Sequence, residues 1–141
     1  NILVENEQNQ VKTIQKQEET KSLKEDDNSL RLKYDTEDEF LANEKNDGEA
    51  AYRIANQCHL QVKTPPVYAG ENELYSCIEQ LDKAIKYYRI AQVYYPFEKE
   101  SDNVNSDSIY ILIEACIAMK ENFQRWMNRI RDERRRNRFD D

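Results

Sequence analysis

The side chain best suited to acid–base chemistry is His59, the single histidine of the chain. A nucleophilic Cys-His or Ser-His-Asp arrangement would have to use it, and Cys58 is its neighbour in sequence. Adjacent side chains on a helix project about 100° apart, so these two do not readily pair. We therefore expect a partly exposed helical histidine and no enzymatic activity.

Metal and phosphate sites lack the residue patterns that they need. Cys58, Cys77 and Cys116 are widely spaced and contain no C-x-x-C pair, which favours buried free thiols. The acidic runs EDD (25–27) and TEDE (36–39) lack the spacing and the glycine of a calcium loop. With only two glycines, the chain has no glycine-rich phosphate loop. We expect neither a metal nor a cofactor.

The strongest charge feature lies near the C terminus. Between Arg125 and Arg138 there are seven arginines and two acids, a local charge of +5. Arginine is favoured near a helix C terminus by the helix dipole, but such a cluster also suits RNA, acidic lipid or an acidic protein face. Asp140 and Asp141 oppose phosphate binding, which favours a protein partner. The candidate contact residues here are Arg125, Arg129, Arg134, Arg135 and Arg136.

Composition indicates that helices position these groups. The 141 residues suit one domain, and two glycines with three prolines are too few for the turns of an all-β fold. Residues 1–35 are polar, belong to the acidic part of the chain and carry no lasting helical stripe, so we predict a tail that is disordered or bound to a partner. The helical domain is predicted over residues 36–138.

Three main helices are predicted. Thr36 and Glu39 make a capping box, and helical spacing of small and apolar residues is clear from Gly48. A proline-containing loop at 62–70 precedes a helix over 71–95, which Pro96 ends. A third helix spans about 107–136, and its first half is apolar on several sides, so it should be sandwiched. The fold class is all-α: an antiparallel helical hairpin plus a long C-terminal helix, either repeat-like or a three-helix bundle.

The stretch KAIKYYRIAQVYYP (83–96) resembles the second helix of a tetratricopeptide repeat. Ala84 and Ala91 match the small crossing residues, Tyr88 the large aromatic between them, and Pro96 the exit proline. The resemblance covers about residues 48–130, with one well-matched half-repeat. In that family the first helices line a concave peptide-binding groove. The groove-facing residues that the resemblance implies are Tyr52, Asn56, His59, Tyr110 and Glu114.

Tyr87 and Tyr94 form a second aromatic stripe on the middle helix. They either pack against a neighbouring helix or anchor a partner, and the sequence leaves both open. The function expected is a non-catalytic protein–protein interaction module, an adaptor or accessory subunit of a larger assembly. The alternative is an RNA-associated helical protein that binds through its arginines. The longest apolar run, Ile109–Met119, is too short to span a bilayer, and compartment and oligomeric state stay open.

Overall fold

A computed structural model describes residues 27–62, 65, 69–98 and 103–139. Within them a helical segment at 27–31 is followed by four helices: α1 (Glu37–Glu44), α2 (Gly48–Gln61), α3 (Glu71–Tyr94) and α4 (Ser106–Phe139). The all-α fold with a long C-terminal helix is thus confirmed. No helix in the described part of the chain is both long and apolar enough to cross a membrane.

The segment before α1 is more ordered than the sequence pattern indicated. Residues 27–31 are helical although they lie within the predicted tail. The Asp27 carboxylate pairs with Lys45 Nζ at 2.9 Å, and the Tyr34 hydroxyl donates to Glu44 Oε1 at 2.5 Å. These contacts bring residues 27–35 against α1. The rest of the predicted tail, 1–26, lies outside the described residues.

At the start of α1, the Thr36 half of the predicted capping box is formed, whereas the Glu39 side chain makes a different contact. Thr36 Oγ1 accepts from the Glu39 amide at 3.1 Å, as the sequence predicts. The Glu39 carboxylate, however, binds Lys83 Nζ on α3 at 3.0 Å, and this hydrogen bond raises the pKa of Lys83. Asp38 and Arg53 make a two-pronged contact at 2.9 and 3.2 Å between α1 and α2. The first acids of α1 therefore tie it to both following helices.

Gly48 is the point at which α2 meets the end of α3. Asp47 caps α2 by accepting from the amides of Glu49 and Ala50, both at 3.1 Å. A Cβ added at Gly48 would lie 2.2 Å from the Tyr95 backbone nitrogen. Only a residue without a side chain lets the two backbones approach this closely.

Both α2 and α4 pack antiparallel on α3, and these are the two largest helix contacts among the described residues. Residue 48 of α2 meets residue 95, whereas Arg134 of α4 reaches Glu71 at the start of α3. The largest fully buried side chains belong to α1, α3 and α4: Phe40, Leu74, Leu81, Tyr88, Ile109 and Cys116. Burying them contributes to the hydrophobic stabilisation of the fold.

One expectation about α4 is not met within the described residues. Of the inner face that spacing predicts, Ile109, Cys116 and Phe123 are buried, and Ile113 and Met127 join them in the core. The other predicted inner residues are only partly buried: Leu112, Met119, Trp126 and Ile130. The opposite side is not sandwiched, because Ile111 keeps 65% of its surface exposed. Since α3 is the one helix in extensive contact with α4, it covers only one side.

Candidate interaction surfaces

The histidine lies in a polar cluster around a buried tyrosine. The Tyr88 hydroxyl donates to Asn56 Oδ1 at 2.7 Å and lies 3.2 Å from His59 Nδ1. A hydroxyl has one proton, so with that proton directed to Asn56 this contact fits the His59 tautomer that carries its hydrogen on Nδ1. Burial raises the pKa of Tyr88, which keeps this hydroxyl protonated. His59 is therefore engaged in orienting a core side chain.

Aromatic rings continue this cluster toward the end of α3. The Tyr52 ring lies 6.0 Å from Tyr88 and 5.5 Å from Tyr95, centroid to centroid, and Tyr95 lies 5.2 Å from Phe97. These separations are typical of favourable tilted and edge-to-face pairs. Tyr52 is half-buried, like Asn56 and His59. The structure thus brings the three predicted α2 residues together, and their main contacts are within the chain.

Tyr110 and Glu114 are not part of that cluster. Both are exposed, and they precede Ile117 and Glu121 by seven residues each, which places them on the same side of α4. Ile117 and Glu121 line a cleft of about 340 Å³ between α3 and α4. On α3 this cleft is lined by Lys86, which projects about 160° away from Tyr88 around the helix axis. Tyr88 faces the α2 cluster, so the cleft is on the other flank of α3. Tyr110 and Glu114 lie on the cleft side of α4 and are therefore separated from the α2 cluster.

The cleft continues along the α3–α4 seam. A second hollow of about 350 Å³ shares Gln124 with the first and is lined by Tyr75, Met127 and Arg131 among others. Asp82 and Lys120 pair across the first part. Tyr75 is more than half exposed, yet it had no place in the sequence interpretation, because it lies one residue from the buried Leu74 and belongs to no stripe.

Tyr87 packs inside the molecule, which excludes it as a partner anchor in this conformation. It is 4% exposed, and its hydroxyl accepts from Asn43 Nδ2 of α1 at 2.8 Å. The Lys86 ammonium lies 5.1 Å from its ring centre. Of the two open interpretations, the neighbouring helix is the correct one for Tyr87. Tyr94 is 48% exposed and stays available.

The side of α4 that faces away from α3 forms one continuous exposed surface, which we call the outer stripe. Its members recur every three or four residues, and each is exposed. The first half is apolar or small, and the second half carries three arginines and one aspartate. The outer stripe consists of Ile111, Ala115, Ala118, Asn122, Arg125, Arg129, Asp132 and Arg136.

The arginines of α4 divide into two groups. Arg131 and Arg134 pair with Glu71 at 3.6 and 3.0 Å, so Arg134, a predicted partner contact, also holds α4 to the start of α3. Arg125 donates to Asn122 one turn earlier. No ion pair with another described residue is formed by the remaining exposed guanidinium groups, those of Arg129, Arg135, Arg136 and Arg138.

The cysteine thiols are free and poorly suited to nucleophilic chemistry. Cys58 and Cys116 are buried, and Cys77 is half-buried. Desolvation raises the pKa of all three thiols, that of Cys116 to about 11. Among the described residues, no group of three or more His, Cys, Asp or Glu side chains is arranged to hold a metal ion.

Comparison with known proteins gives no relative from which a role can be transferred. The chain matches no protein-family model, no curated protein and no solved structure.

Proposed function

We propose that this chain is a non-catalytic protein–protein interaction module, an adaptor or accessory subunit within a larger assembly. The observation that carries the proposal is the exposed apolar start of α4. Ile111 is 65% and Tyr110 is 55% exposed, and both lie in a helix whose other side is fully packed. The two side chains project about 100° apart, on adjoining parts of the exposed side of α4, and neighbouring large apolar side chains that are exposed are typical of docking surfaces.

The proposed architecture is a degenerate tetratricopeptide-like hairpin over residues 48–130, extended by α4. The complete burial of Ala84 and Ala91 supports it, as does the close approach of Gly48 to Tyr95, because small residues allow helices to cross closely. The known groove of that family would correspond to the side that carries Tyr52 and His59. In this chain the more exposed apolar surface is on α4, so we place the docking site there.

Affinity purification with Ile111→Asp tests the function. We expect the unmodified chain to copurify with specific protein chains, and the variant to lose them, because a charge would enter the centre of the apolar contact. Leu60→Asp is the matched control, since Leu60 is 80% exposed and lies on α2. Far-UV circular dichroism verifies that both variants fold. A chain that elutes alone and monomeric, or equal losses in the two variants, would contradict the proposal.

RNA binding is the second candidate, and the exposed guanidinium groups at the end of α4 favour it. Arg129, Arg135 and Arg136 have no ion pair with another described residue, so they are available to phosphates. Electrophoretic mobility shifts with labelled single-stranded RNA at low salt test this function. A steep loss of binding in Arg129→Glu/Arg136→Glu would support it, whereas absence of measurable affinity at low salt would exclude it.

A further inference from the structure

We infer that the outer stripe of α4 docks an acidic amphipathic helix of a partner protein, with the partner antiparallel to α4. This inference rests on the proposed interaction function and specifies the chemistry of the partner. The stripe has two halves of different character, apolar around Ile111 and cationic from Arg125 onward. A complementary ligand must therefore be apolar at one end and acidic at the other.

The charge of the stripe indicates an acidic ligand. The whole chain carries a net charge of −7, yet the stretch from Arg125 to Arg138 is +5, and two of its seven arginines, Arg131 and Arg134, pair with Glu71. Asp132 lies within the stripe and Glu133 next to it, and neither forms an ion pair with Arg129 or Arg136. Three arginines against one aspartate leave the second half of the stripe with a net positive charge. An acidic partner would gain the attraction and the faster association that complementary charge provides.

The apolar half argues for protein over nucleic acid. Ile111 has a large exposed side chain. Ala115 and Ala118 beside it have small side chains, so a second helix can approach α4 closely there. A phosphate backbone makes no favourable contact with this apolar half, and Glu114 and Glu121 beside it would repel phosphates. A helix with apolar side chains would fill it.

Length and direction follow from helix geometry. Ile111 and Arg129 are eighteen residue steps apart, which corresponds to about 27 Å at 1.5 Å per residue, so a partner helix of about 18 residues reaches both halves. In an antiparallel arrangement the partner's N-terminal half lies beside the arginines. Acidic side chains are favoured in the N-terminal part of a helix by its dipole, so this direction stabilises the ligand as well as the contact.

The test uses fluorescence anisotropy with a labelled 18-residue helical peptide that carries glutamates in its N-terminal half and leucines in its C-terminal half. We expect binding that weakens at least tenfold in Arg125→Glu/Arg129→Glu and that falls as salt is raised. The control Lys33→Glu/Arg89→Glu makes the same charge change at exposed positions off the stripe. Ile111→Asp should weaken binding as well, and circular dichroism verifies that each variant folds.

Three results would overturn the inference. The first is equal binding of a peptide in which lysines replace the glutamates, or of one with the two halves exchanged. The second is equal loss in both charge-reversal variants, which would indicate net charge alone. The third is arginine-dependent binding of RNA without binding of the peptide. If copurifying chains are lost in Ile111→Asp but retained in Arg125→Glu/Arg129→Glu, the interaction function stands and the acidic partner does not.

Discussion

Replacing Gly48 by alanine tests the closest backbone contact of the fold. Intrinsic propensity favours the change, because alanine stabilises a helix by up to about 1 kcal/mol relative to glycine. The added Cβ would lie 2.2 Å from Tyr95 N and 2.3 Å from the Tyr94 carbonyl carbon. Both neighbours are backbone atoms, so the start of α2 and the end of α3 must separate by about 1 Å.

The expected cost follows from that displacement. Overpacking a well-packed contact costs about 1–3 kcal/mol and occasionally more, and a clash with backbone belongs at the upper end. The separation also strains the hydrogen bond from the Tyr95 amide to Ala91 O, now 2.8 Å long. Even after the gain in propensity, we expect Gly48→Ala to lower the free energy of unfolding by about 2 kcal/mol or more. For a domain of this size that is a fall in Tm of about 10 °C.

Urea and thermal unfolding followed by circular dichroism measure the effect, and the second glycine provides the control. Gly70 is the N-cap of α3, and a Cβ there would meet nothing within 4 Å. Gly70→Ala should therefore change stability by less than about 1 kcal/mol, through cap preference alone. A Gly48→Ala protein as stable as the unmodified chain, or two variants with the same loss, would refute the reasoning.

Two further predictions concern the core. Tyr88→Phe removes the hydroxyl that joins two half-buried α2 side chains, so it should lower the free energy of unfolding by about 1 kcal/mol in urea titrations. The Tyr52 hydroxyl makes no such bond within the described part of the chain, so Tyr52→Phe should stay within experimental error of the unmodified chain, and equal effects would contradict the role given to Tyr88. At pH 8 a thiol with a pKa of about 11 is ionised to about one part in a thousand, so Cys116 should react with a thiol reagent far more slowly than half-buried Cys77. Simultaneous reaction of all three thiols in the native chain would be inconsistent with this burial.

Features set by neighbours in sequence were predictable from the sequence. The helix type, the Thr36 cap and the end of α3 before Pro96 depend on periodicity and local backbone chemistry. The buried faces of α3 and α4 followed from the same periodicity. These features need no knowledge of how the helices pack.

Features set by distant residues were not predictable in the same way. Tyr87 is buried, and its hydroxyl accepts from Asn43, which lies forty-four residues earlier in the sequence. Tyr110 and Glu114 lie away from the α2 cluster because of the side on which α4 meets α3, a choice that spacing alone does not make. Ile111 is likewise exposed because no helix among the described residues covers that side of α4, which spacing alone does not reveal.

The order in which the helices pack has a consequence for how the molecule folds. Each extensive contact joins helices that are adjacent in sequence: α1 with α2, α2 with α3, and α3 with α4. Such nearest-neighbour coupling gives low contact order, which favours rapid folding, and lets structure propagate one helix at a time. Because α4 contacts the described fold mainly through α3, a partner that binds α4 only in the folded array stabilises the whole array by the free energy of that binding.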